Sequence, residues 1–123
     1  MKNTLVTTSL FATALLLGAT SAFAHAEFVK STPAPDSVIT TSPTEIDITF
    51  SEGLNLKFSG ARLGDSMKME MATGPATLAR GGDTTLVIPV TKPLAAGVYT
   101  VEWHNLSKDG HKLKGSFKFT VKP

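Results

Sequence analysis

The chain predicts an all-β sandwich of six or seven short strands, and three observations carry that prediction. Residues 44–50, 98–104 and 111–121 alternate apolar and polar side chains at a period of two. Turn residues, chiefly proline, glycine, aspartate and asparagine, punctuate the intervals between such runs. No long stretch beyond residue 24 has helical periodicity.

Residues 1–24 read as a secretory leader and not as part of the fold. Lys2 is its positive start, residues 10–17 its apolar core, and Ala22-Phe23-Ala24 an A-x-A cleavage site. The apolar core is too short to span a membrane, which takes ~20 residues. Cleavage after Ala24 leaves one domain, residues 25–123, that opens on His25.

In that domain, residues 26–31 suit an edge strand, and Thr32 to Ser37, with Pro33, Pro35 and Asp36, a turn. In 44–50, Ile46, Ile48 and Phe50 share one face and Glu45, Asp47 and Thr49 the other, a half-buried strand. Ser51-Glu52-Gly53 ends it. Residues 54–63 form a second extended run, with Leu54, Leu56 and Phe58 in phase. Residues 64–75 are a loop containing Met67, Met69 and Met71. A short strand at 76–80, a tight turn at Gly81-Gly82-Asp83-Thr84 and a β-branched strand at 85–90 follow. After a turn at 91–97, the strand at 98–104 points Tyr99, Val101 and Trp103 inward and leaves His104 on the surface. A loop at 105–110 leads to the last strand. There Leu113, Phe117, Phe119 and Val121 face the core, and Lys112, Lys114, Lys118 and Lys122 face water.

Composition removes several classes of function. Without Lys2 the twelve basic residues become eleven, against ten acidic ones, so nucleic acid is not an expected partner. The absence of cysteine excludes a thiolate zinc site, an iron–sulfur centre and a blue-copper site. An exported chain without disulfides depends on its core for stability. The leader, with no anchor after it, suggests the periplasm as the expected location.

Strand direction says where chemistry gathers. If each strand runs antiparallel to the one before it, His25, Glu52, Asp109 and His111 share one pole, and Met67, Met69 and Met71 the other, roughly 20–25 Å away. Glu52 has the parity of Ile46, Ile48 and Phe50, and His111 that of Leu113 and Phe117, so both are expected to aim inward at the rim. A terminal histidine offers an α-amine and an imidazole to one ion. Together with a carboxylate and a second imidazole, that is a nitrogen and oxygen set suited to tetragonal Cu(II). Three thioethers at alternate positions, Met67, Met69 and Met71, are soft ligands that select Cu(I). Their alternative is flexible packing.

At these residues the chain resembles the CopC-type copper resistance proteins, a periplasmic copper-binding family. The resemblance rests on His25, on Phe50-Ser51-Glu52-Gly53-Leu54, and on Lys57-Phe58-Ser59-Gly60-Ala61. It extends through Gly97-Val98-Tyr99 to Trp103 and on to Asp109-Gly110-His111, and so covers essentially all of 25–123. It implies a Greek-key β-sandwich of cupredoxin or immunoglobulin type. It implies Cu(II) ligands at His25, Asp109, His111 and Glu52. Some members hold Cu(I) in a methionine-rich loop, usually with a histidine inside it; the loop here is shorter and has none. The resemblance also implies an inner-membrane transporter of the CopD type as partner. The expectation is therefore a monomeric copper carrier or buffer in copper homeostasis and resistance, and not an enzyme. Two other readings compete with it: a histidine-brace copper monooxygenase and a metal-free sandwich interaction module.

Overall fold

A computed structural model describes residues 25–123, and the leader expected at 1–24 lies outside them. Eight strands form two sheets. They are β1 (Phe28–Thr32), β2 (Val38–Ile39), β3 (Glu45–Phe50), β4 (Gly60–Gly64), β5 (Thr77–Leu78), β6 (Thr85–Pro89), β7 (Gly97–Leu106) and β8 (Lys112–Val121). One sheet has the order β1-β3-β6-β5 and the other β2-β8-β7-β4. The chain crosses between them after β1, β2, β3, β4 and β6, which is a Greek-key pattern.

The alternation reads directly into the core. From β3, Ile46, Ile48 and Phe50 are buried; they meet Leu86 and Ile88 of β6 and, across the sandwich, Val101 and Trp103 of β7 and Phe119 and Val121 of β8. Phe50 packs edge-on against Trp103 with ring centres 5.0 Å apart, and Tyr99 stacks on Phe119 at 5.7 Å. β8 brings Gly115 opposite Trp103, where a side chain has no room: a Cβ there would lie 2.5 Å from the indole.

Three expectations need correction. Leu54 to Phe58 is not a strand, although its apolar residues are in phase. Leu54 bridges to Ser107, and Leu56–Phe58 is a 3-10 turn that the Asn55 side chain caps by accepting from Lys57 N at 3.2 Å. The chain is passing from one sheet to the other here, and a turn makes that step where a straight strand cannot. β7 also continues to Leu106, through residues expected to be loop. Val38–Ile39 adds a short strand parallel to β8.

Candidate metal centre

The two ends of the expected site meet. The imidazoles of His25 and His111 stand edge to face, with ring centres 4.7 Å apart and planes at 77°. His111 Nδ1 lies 3.1 Å from Asp109 Oδ1. His25 Nδ1 is buried and has no hydrogen-bond partner among the described residues. Among the described residues, no three His, Asp or Glu side chains converge on a single point; the contacts run in pairs through His111.

Backbone and small polar side chains hold each half in place. His25 precedes edge strand β1, and Ser51, just past β3, grips it: Ser51 Oγ donates to His25 O at 3.0 Å and accepts from Glu27 N at 3.0 Å. Asn105, fully buried in β7, donates from Nδ2 to Ala26 O at 2.9 Å. The other half is the loop between β7 and β8. Ser107 Oγ donates to Asp109 Oδ1 and accepts from His111 N at 3.2 Å. Gly110, at φ +93°, supplies the left-handed step that turns the loop back. Lys108 ties the loop outward: its N donates to Gly53 O at 3.0 Å and its ammonium to the Asp83 carboxylate.

Charge follows the same bonds. The Ser107 hydroxyl holds the Asp109 carboxyl below its ordinary range; partial desolvation opposes this and the His111 contact adds to it. Asp83 is likewise lowered, chiefly by the hydrogen bond from Lys108. Asp109 thus stays an anion beside His111, as a ligand or counter-charge for a cation must.

Glu52 departs from expectation. It is exposed, and it makes no hydrogen bond or ion pair among the described residues. Its parity with β3 means little, because β3 stops at Phe50 and the chain bends through 51–53. Ser51 is the residue of that segment that reaches His25. The structure places His104 on the surface, as expected. It places Met67, Met69 and Met71 at the far end of β4, beyond Gly64, whereas Gly60 starts β4 opposite His104. Between Leu106 and Thr100, β7 rises roughly 20 Å, so the two poles are well separated. Met67 and Met69 are 81% and 62% exposed, while Met71 packs partly against the core.

Sequence reasoning passed over Ser51, Asn105 and Ser107. A signal was present: Asn105 and Ser107 carry the inward parity of Tyr99, Val101 and Trp103, and both are only 2% exposed.

The chain is similar in sequence and fold to known proteins. A copper resistance protein C of Pseudomonas syringae pv. tomato is 41% identical over 119 residues, covering 93% of each chain. The crystal structure of PcoC, a methionine-rich copper resistance protein from Escherichia coli, superposes with a TM-score of 0.71 at 38% identity, covering 80% of this chain and all of that one. The copper transport protein CutJ of Bacillus subtilis is 28% identical over 101 residues, which are 82% of this chain but 19% of that one. The model of the CopC domain family matches residues 28–122, nearly all of the described fold from the first strand to the end of the last, and the chain therefore belongs to the CopC domain family.

Proposed function

We propose that this chain is a periplasmic copper carrier or buffer, working in copper resistance, that binds Cu(II) through His25, Asp109 and His111. One observation carries the reading: the spacing of the two imidazoles. With a metal–nitrogen bond of ~2.0 Å, a ring centre lies about 3.2 Å from the ion. Two ring centres 4.7 Å apart then subtend about 95° at it, the angle between neighbouring positions of a tetragonal site. The buried, unbonded His25 Nδ1 is a nitrogen that an ion would satisfy. Asp109 adds an anionic oxygen, and the α-amine of His25 becomes a further donor once the leader is cleaved after Ala24. Glu52, exposed on the 51–53 bend, is the candidate for an outer oxygen ligand.

Relatives named for copper resistance support copper as cargo, and none of these names is that of an enzyme. Met67 and Met69, well exposed, and Met71, packed partly against the core, form a proposed all-sulfur Cu(I) site. CutJ, a copper transport protein of which this fold matches a minor part, supports a membrane transporter of the CopD type as the partner that receives or supplies the ion. Among the described residues no helix is long and apolar enough to cross a membrane.

The deciding experiment concerns the amine. Placing one extra residue before His25 in the cleaved protein removes its amine from the site while leaving the imidazole. Cu(II) affinity is expected to fall by more than the ~10–100-fold that loss of a supporting residue costs. An affinity equal to that of the cleaved parent would refute the terminal-histidine site.

A further inference from the structure

A hollow on the outer face of the β2-β8-β7-β4 sheet has no part in the metal reading. β4 begins at Gly60, opposite His104, so on that side β7 runs on to Leu106 without a paired strand, while β8 accompanies it on the other. The 3-10 turn takes that place: Asn55 N donates to Leu106 O at 2.8 Å and Leu106 N to Ser59 Oγ at 3.2 Å. A turn stands off a neighbouring strand where a paired strand would lie flat. The result is a concavity of about 560 Å³, lined by Lys57 and Phe58 of the turn and by His104, Lys112, Leu113 and Lys114 of the last two strands.

Its chemistry is lopsided. Phe58 is 51% exposed, a large aromatic surface left in water, and Leu113 lies near it. Lys57, Lys112 and Lys114 are exposed, no carboxylate lines the hollow, and none of the three takes part in an ion pair among the described residues. This is not the general character of the surface, because the domain as a whole is near neutral. A second groove farther along the same sheet mixes signs: Arg62, Lys68 and Lys118 stand among Asp65, Glu70 and Glu102, and Arg62 pairs with Glu102 at 3.1 Å.

We propose that the lysine-rimmed hollow docks an acidic segment of a partner protein, with an apolar side chain against Phe58 and Leu113 and carboxylates over Lys57, Lys112 and Lys114. A concave apolar floor inside a cationic rim fits an extended peptide with one anchor, the usual anatomy of a small interface. An anionic bilayer is met instead by a protruding amphipathic face. The charges would steer encounter as well as hold the complex. Lys112 follows His111, so a partner seated here lies against the metal pole; this adjacency rests on the proposed copper site, whereas the docking does not.

The test uses metal-free, isotope-labelled residues 25–123 and a synthetic acidic peptide carrying a single phenylalanine. Amide shifts are expected to cluster on Phe58, His104 and 112–114 and to saturate, with affinity falling as salt rises. The Lys57→Glu/Lys114→Glu variant should lose about tenfold or more in affinity, Phe58→Ala should also weaken binding, and Lys68→Glu/Lys118→Glu in the mixed groove should bind like the parent. Circular dichroism establishes that each variant is folded. Equal losses in both double variants would reduce the effect to bulk charge and overturn the proposal. So would shifts centred elsewhere, or occupation of the hollow by phosphatidylglycerol vesicles and not by the peptide. Cu(II) titration of the same variants reads the metal site separately, so the two readings fail independently.

Discussion

Asn105 shows how much a single buried amide does. It comes from the inward face of β7, and its partner is the carbonyl of Ala26, the residue after His25. Truncating it strands a fully buried carbonyl, which costs about 1–3 kcal/mol. It also frees the segment that presents His25. Asn105→Ala is therefore expected to lower the urea midpoint and to weaken Cu(II) binding by ~10–100-fold; a stability loss with intact Cu(II) affinity would confine Asn105 to packing. The sequence made the candidate ligands His25, Asp109 and His111 legible because their chemistry is unusual in a loop. It did not mark Ser51, Asn105 and Ser107, since serine and asparagine are ordinary turn residues until their parity is weighed. The inward aim expected of Glu52 is what fails: Glu52 is exposed because it lies past the last paired residue of β3, where alternation no longer governs direction.

Among the elements, β3, β7 and β8 were readable because each buries one face and wets the other. Leu54 to Phe58 was not, because its in-phase leucines serve a turn, and the requirement that the chain change sheets there is a property of topology and not of local pattern. β8 offers a direct test of how closely the sheets are packed. Gly115→Ala sets a methyl group against the Trp103 ring, and overpacking of this kind costs about 1–3 kcal/mol. The measurement is the denaturation midpoint together with the emission of the single tryptophan; an unchanged midpoint would mean that the ring moves aside freely. The outer face of β3 carries the converse liability. Burial, and next the neighbouring Glu45, push the Asp47 carboxyl above its ordinary value. A carboxyl that is a weaker acid in the folded state favours folding as pH falls through its folded pKa, and its ionised form disfavours folding above that pH. Asp47→Asn should thus stabilise the protein at neutral pH, by no more than a few tenths of a kcal/mol (~0.2–0.5) because solvent screens the charge, with the gain shrinking toward acid pH. Equal midpoints for parent and variant at neutral pH would count against it.

At the scale of the molecule, the counting of strand reversals located both poles, even though one of the counted strands is a turn. The direction of travel from Leu54 to Gly64 survives that substitution, and β5, short as it is, preserves the remaining reversals. Two poles separated by the length of β7 should respond separately. Replacing Met67, Met69 and Met71 with Leu is expected to abolish Cu(I) binding and leave Cu(II) binding intact, at a stability cost below ~1.5 kcal/mol because the volumes match. His111→Ala should do the reverse. Paired competition titrations, one under reductant, decide the matter; loss of Cu(II) binding in the triple leucine variant would mean that the poles are coupled.

The meeting of His25 with His111 also sets a rule of timing. Nearly the whole domain lies between these residues in the chain, and β8 must pair with β7 before the loop that carries His111 is fixed. A polypeptide still emerging from an export channel, or clipped short of its last hairpin, would present one histidine and no carboxylate held beside a second. Capture of the ion would then be confined to finished molecules. Every subsequent opening of the last hairpin would be opposed by the bound cargo, so that a loaded protein would certify its own completeness.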